Sequence, residues 1–445
     1  MPGMSSRTAI ALASCASLAL LATACTGRPD TGAHDDASKE TTLTFWHAWS
    51  APSEVKAVQD LVSGFEKAHP NLHVEVVGNM TDDKINQALR AGGAKAPDVI
   101  SSFTTNSVGK FCSSGALVDL NPFFEKSGID PRRTFPKAMN EYTQFEGNRC
   151  AVPLLGDAYG LYYNKTAFKK AGITAPPKTW SEFERVAKKL TIPRGGTYRQ
   201  LGFMPNYHGW ETTTEHYLGQ FSPTYFDQDG TSNVGKDPAF AKAFTVQKKL
   251  VDALGGYHKL ERYRSGLGDE WGPEHPFHTG QVAMQLDGEW RLGMALDAKP
   301  TFDIGVAPLP VPDDQADRYG MGYITGTIAG IAATSRKQNA AWELVKYMTT
   351  DTDAVVDFSN AIHNVPSTLA ALKSPKLTYD PRFKTFLQIA AHPDSTTAPA
   401  SVNGGVYLTT IQQFGYDYES GKASDLKKGL RETARQIDTD IAQAK

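Results

Sequence analysis

The sequence predicts an α/β protein built as two lobes, and three observations carry that expectation. The chain has 445 residues, too many for one ordinary core and enough for two. Its first folded stretch alternates strand, helix, strand, helix, strand, an order that lays helices on the faces of a mainly parallel sheet. Residues 151–165, AVPLLGDAYGLYYNK, then read as strand, flexible loop, strand, with Asp157 and Tyr159 on the loop between Gly156 and Gly160. A carboxylate and a ring so placed are available to a small ligand.

The elements follow in order. Residues 42–46 (TLTFW) form a strand, and Pro52 and Ser53 open a helix to about residue 69 with Val55, Val58, Leu61, Val62 and Phe65 on one face. Pro70-Asn71 ends it, and residues 72–77 (LHVEVV) alternate as a second strand. A helix over 82–91 and a strand beginning at Pro97 come next. Ligands of such sheets sit beyond the carboxyl ends of the strands, which selects His47 and Trp49 after the first strand and Ser102 after the third. Residues 111–117 read as a helix carrying Cys112, and 145–152 as a hairpin around Gly147-Asn148 carrying Cys150. A helix over 181–190 turns Phe183, Val186 and Leu190 inward, and the tail is mostly helical from about residue 408.

A hydrophobic fraction of 40% with 21% charged residues is that of a soluble globular chain. The net charge of −2 gives no electrostatic case for nucleic acid. Arg7 followed by small apolar residues to Ala24 is an export segment, too short and too rich in small residues for a membrane span. Leu21-Ala22-Thr23-Ala24-Cys25 resembles a bacterial lipobox, with Ala22 where the pattern has leucine. The resemblance implies removal of residues 1–24 and lipidation of Cys25. Ala22-Thr23-Ala24 also fits ordinary secretory cleavage, and Leu12-Ala13-Ser14-Cys15 is a second lipobox-like run. Residues 26–40 lack apolar period and read, with Cys25, as a flexible tether over 25–40. In an exported chain, Cys112 and Cys150 are expected as a disulfide, two buried thiols being the alternative.

The ordered set TLTFWHAW, APDVI, AVPLLGDAYGLYYNK and APPKTWSEFERVAKKL, then GQVAMQLDGEW and IAATSRKQNAAWELVKYM, is similar to the substrate-binding proteins of bacterial ATP-driven sugar importers, the group that includes maltose-binding protein. That resemblance implies the type II periplasmic-binding-protein fold: two α/β lobes joined by three crossings. The crossings are expected after 162–165, near 320–326 and within 357–366. Lobe one is then 41–164 with 327–358, and lobe two 165–326 with 359–445. It also implies a monomer on the outer face of the cytoplasmic membrane that hands a di- or oligosaccharide to the permease subunits of an ABC importer.

A sugar site must replace many water hydrogen bonds while burying apolar ring faces, so aromatic rings beside carboxylates and amides are its signature. Trp180 and Trp342 sit in helical patterns and read as core, whereas Trp49, Trp210, Trp271 and Trp290 lie among glycines, prolines and polar residues. Gly288-Glu289-Trp290 matches the family's GxW pattern, which carries the sugar-facing role to Trp290. Segment position in the family adds Asp157, Trp210, Gly322, Tyr323 and Tyr407, and local composition adds Glu270 and Trp271.

Other chemistries have less support. His275 and His278 read as a surface pair, with no HExxH or Cys/His framework for a metal. No nucleotide loop or GxSxG elbow is present. Asp287 and Glu289 could suggest the paired carboxylates of glycoside hydrolysis, which stays a remote reading. A binding protein with no cofactor is therefore expected. The alternatives are a same-fold receptor for a glycerol phosphodiester, with Arg291 or Arg318 at the ligand, and, remotely, an exported glycoside hydrolase.

Overall fold

The computed structural model describes residues 35–93, 96–205 and 213–445. Among the described residues ten strands form one sheet, eight of them on a path in the order β2-β1-β3-β9-β4-β7-β6-β5, with β8 and β10 off it and both paired to β4. β1 (Thr41–Trp46) lies between β2 (Leu72–Val77) and β3 (Val99–Ser102), parallel to both. β9 (Ile324–Ile331) runs antiparallel between β3 and β4 (Val152–Asn164). The far part of β4 pairs antiparallel with β7 (Val282–Gly288) and β8 (Ile304–Ala307). β6 (Thr197–Phe203) is parallel to β7 and makes a hairpin with β5 (Ile192–Arg194), and β10 is the pair Val365–Pro366. The sheet is thus mixed rather than mainly parallel, because β9 enters it against the direction of β1–β3 and β4, and β7 and β8 run against β4 in turn.

The helix Pro52–Ala68 shows why the local reading works. Proline in its first turn costs no hydrogen bond, and Val58, Leu61, Val62 and Phe65 recur at helical spacing as its buried side. Two hydrophobic cores result. One gathers Phe45, Phe65, Ile100, Phe124, Ile328 and Trp342, and the other Leu161, Trp180, Phe183, Leu201, Leu286 and Phe414. Trp180 stacks on Tyr217 at 4.9 Å, and the indole N–H of Trp342 donates to Ser127 at 2.8 Å, so both rings are core.

The expected strand, loop and strand over 151–165 is instead one unbroken strand of 13 residues. Its glycines are there for close approach, not for flexibility. A Cβ on Gly156 would collide with the Met139 side chain, and one on Gly160 with Phe386. Here Gly156 pairs with Gly326 of β9 on one side and with Val365 of β10 on the other.

Two smaller shifts have equally local causes. The turn before Cys150 is Glu146-Gly147, one residue earlier than expected, and both residues have positive φ (49° and 82°) as a tight hairpin turn requires. At the amino end, residues expected in a free tether are held. The Asp35 carboxylate accepts the N–H groups of Asn339 (2.8 Å) and Ala340 (2.9 Å) at the start of the helix Gln338–Thr350, which has no side-chain cap of its own. Asn71 also donates to the Ala37 carbonyl at 2.7 Å.

Cys112, on the helix Val108–Ser113, and Cys150 form a disulfide across 38 residues of sequence. In the chain-entropy picture a loop of that length is worth about 3 to 4 kcal/mol. A Cys112→Ser/Cys150→Ser variant should lose about that much in urea unfolding, and no loss would show that the bridge does not restrict the unfolded chain.

Candidate functional site

The polar centre lies where β4, β9 and the segment entering β10 run side by side. Asp157, half-buried on β4, accepts from the Asn364 side-chain amide at 2.8 Å, and the Thr325 hydroxyl of β9 lies 3.5 Å from its other oxygen. The same amide nitrogen donates to Glu289 at 2.8 Å, and the second Glu289 oxygen accepts the Ala158 N–H at 2.8 Å. One amide therefore spans two carboxylates drawn from distant parts of the chain. Burial, and then the charge of Asp157, push Glu289 well above the ordinary glutamate range.

An aromatic wall adjoins this centre. Tyr159 stacks on His216 at 3.8 Å, meets Trp290 edge-on at 5.6 Å and lies 6.0 Å from Tyr323. Gly288 explains the GxW spacing physically, since a Cβ there would run into the Trp290 indole, which folds back over it. Burial pushes His216 down to about 3, so this ring is neutral. Gly322 donates its N–H to Ser395 at 3.0 Å and has Ile389 where a Cβ would stand. Sequence reasoning missed His216, Thr325 and Asn364, none of which carries a motif.

Asp157, Tyr159, Trp290 and Tyr323 thus come together with Gly322, Asp157 and Trp290 half-buried and Tyr159 and Tyr323 buried, and the remaining expected residues do not join them. His47 is fully buried between Phe45 and Trp49, and burial pushes its pKa down. Trp49 is buried edge-on to Phe358. Ser102 is buried and donates to Asp82 at 2.7 Å, while its neighbour Phe103 is 49% exposed. Tyr407 is buried against Tyr225 and Phe226 with its hydroxyl donating to the Pro399 carbonyl at 2.7 Å, while its neighbour Val406 is 45% exposed. Glu270 supplies its carbonyl to Arg291 at 2.9 Å, beside an exposed Trp271. Trp210, like Cys25, lies outside the described residues.

Two elements on opposite cores also touch. A Cβ on Gly109, in the helix that gives Val108 and Phe111 to the first core, would collide with the Ser401 backbone. Ser401 lies between Ala398 and Tyr407 of the second core, and Gly405 packs against Asn106.

The remaining charged candidates are occupied. Arg291 is fully buried and ion-paired to Asp287 at 2.7 Å, and Arg318 is 3.7 Å from Asp394 and donates to Ser222 at 2.8 Å. His275 and His278 are buried, not a surface pair, with ring centres 4.9 Å apart.

With this geometry in view, the comparisons converge. Residues 51–355 match the bacterial extracellular solute-binding protein family, and the chain belongs to it, which places it outside the cytoplasm. It is similar to the maltotriose-binding protein of Pyrococcus abyssi, with 25% identity over 79% of this chain and 72% of that one. Among solved structures it resembles the sugar-binding protein MalE of Xanthomonas citri (22% identity, TM-score 0.76, 91% of this chain and 98% of that one). It also resembles UgpB of Mycobacterium tuberculosis in complex with glycerophosphocholine (22% identity, TM-score 0.68, 91% and 99%). The fold is therefore the two-lobed type II binding-protein fold with three interlobe crossings.

Above about pH 4.5 an unfolded glutamate is ionised while folded Glu289 keeps its proton, so the folded state binds more protons and stability falls as pH rises. Asp157→Asn keeps an acceptor for Asn364 but removes the neighbouring charge, letting Glu289 ionise at lower pH. Urea unfolding at about pH 5 and about pH 8 should show the variant gaining on the wild type toward the higher pH; parallel behaviour would mean that the two carboxylates do not interact.

Proposed function

We propose that this protein binds a di- or oligosaccharide outside the cytoplasm and delivers it to an ABC importer by closing two lobes over it. The observation that carries the reading is the half-buried Trp290 ring, backed by the buried rings of Tyr159 and Tyr323, beside the Asp157 network. Rings cover the C–H faces of a sugar, and carboxylate and amide groups replace its hydration. The family, and relatives named for maltotriose and for sugar, support it.

In this reading Asp157, Tyr159, Trp290, Tyr323 and Gly322 form the centre of the site, with Glu270 and Trp271 at its margin, and Trp210 is a further ligand-binding residue. His47, Trp49, Ser102 and Tyr407 act through their segments, which set the exposed Phe103 and Val406. The division proposed is 41–164 with 327–358 and 165–326 with 359–445, although the first core also draws Phe277, Leu292 and Ile304, and Phe383, Phe386 and Ile389, from the second half. Cys25 carries the lipid that holds a monomer near its permease, and the protein catalyses no reaction. Asp287 is engaged by Arg291, and Glu289 by Asn364 and Ala158, so each carboxylate is committed to its own partners.

The second reading, a glycerol phosphodiester ligand, rests on the likeness to UgpB. A phosphate wants an available cation, and both sequence candidates, Arg291 and Arg318, are already paired with carboxylates. That observation favours the sugar.

A thermal-shift screen over mono-, di- and trisaccharides and glycerophosphodiesters decides between them. A true ligand at a hundred times its Kd adds about 2.7 kcal/mol of stability, and stabilisation by glycerophosphocholine alone would replace the sugar reading. Closure has its own test in Gly109→Val, which props Gly109 off the Ser401 backbone. Affinity for the screened ligand should fall about tenfold or more, because each 1.4 kcal/mol lost from the closed form is a factor of ten. Solution scattering should lose its ligand-induced compaction, and an unchanged response would remove this contact from the closing movement.

A further inference from the structure

We infer that Trp271 is an outer stacking surface for the saccharide and that Arg291 is the residue that positions it, so that the ligand extends at least one sugar unit past Trp290. The inference rests on the sugar-binding reading above and adds the length of the ligand.

Trp271 is 51% exposed, one of four large apolar side chains so exposed among the described residues. An indole in water on a polar segment needs a reason. Its segment is not loose: Gly268 packs against the Glu274 backbone, and the His275 N–H donates to the Gly272 carbonyl at 3.2 Å. The ring is held from behind as well. The Arg291 guanidinium sits over one indole face, 5.6 Å from the ring centre, and donates to the neighbouring Glu270 carbonyl at 2.9 Å.

Arg291 is itself fixed, because its Nε donates to Asp287 at 2.7 Å and both groups are buried. Burial and the charge of Arg291 push His275 down to about 2 and His278 down to about 4, so neither histidine competes as a cation for Asp287. A buried ion pair adds little net stability over an apolar pair, but it holds a planar group in one place. Here that group is the back of an aromatic platform, whose remaining exposure is open to a second flat partner. Trp290 precedes Arg291 in the chain and rests on Gly288. One short segment thereby sets both rings, one directly and one through the guanidinium, which suits successive units of a single chain of sugars.

Calorimetric titration of the full protein with glucose, maltose, maltotriose, mannose, mannobiose and mannotriose tests this. Trp271→Ala should weaken the bound trisaccharide about tenfold and the corresponding monosaccharide by less than about twofold. Arg291→Gln combined with Asp287→Asn, which leaves no unpaired charge, should reproduce that loss and add nothing in the Trp271→Ala background. Trp271→Phe, which leaves the ion pair untouched, should retain most of the trisaccharide affinity and keeps the test sound if the paired variant does not fold. Equal losses for mono- and trisaccharide, additive losses for Arg291 and Trp271, or no loss on Trp271→Ala would overturn the inference while the sugar reading stands. A wild type that binds none of the six sugars but is stabilised by a phosphodiester would overturn both.

Discussion

The structure depends on a place where side chains are not allowed. At Gly156 and Gly326 the two central strands come so close that a Cβ on Gly326 would run into the Leu155 carbonyl, and a Cβ on Gly156 into Met139. That clearance lets β10 pair on the other edge of β4 at the same level, so three passages of the chain share one narrow waist. A narrow waist of paired strands resists sliding but permits bending, since it has little packed volume to deform. β4 contributes to both cores, Leu155 and Tyr162 to the first and Tyr159 and Leu161 to the second.

The polar network belongs to the same waist. Asn364 joins Asp157 and Glu289 only because the strand passages lie in contact there. A buried amide between two carboxylates is satisfied in one geometry and costly in others. The electrostatics of the candidate site and the relative placement of the cores are thus parts of one arrangement, and a ligand group that engaged Asp157 would act on both.

Much of the fold was legible because it is local. Pro52, the apolar spacing through Phe65 and the break at Pro70 announce a helix that ends at Ala68, and the alternation of Leu72–Val77 gives β2 without error. Reading failed where meaning comes from a distant partner. Gly156 and Gly160 look flexible until Met139 and Phe386 are placed beside them. In the candidate site, Trp290 and Asp157 could be found from their patterns, whereas Asn364 meets Asp157 across 207 residues and leaves no local mark. Ser102 and Tyr407 show a finer limit: each expected residue is buried, and the adjacent Phe103 or Val406 is exposed instead. A segment can be chosen from its place in the fold, but the facing side chain is set by a single step of register.

Asp35 carries a mechanical consequence. Its carboxylate grips the exposed amides at the start of Gln338–Thr350, a helix whose Ala340, Trp342, Leu344 and Val345 lie deep in the first core. A pull on the chain ahead of Asp35 is therefore delivered to a buried helix of the first core, one that packs against both β4 and β9. Tension at the amino end would thus reach the two central strands through a single rigid lever.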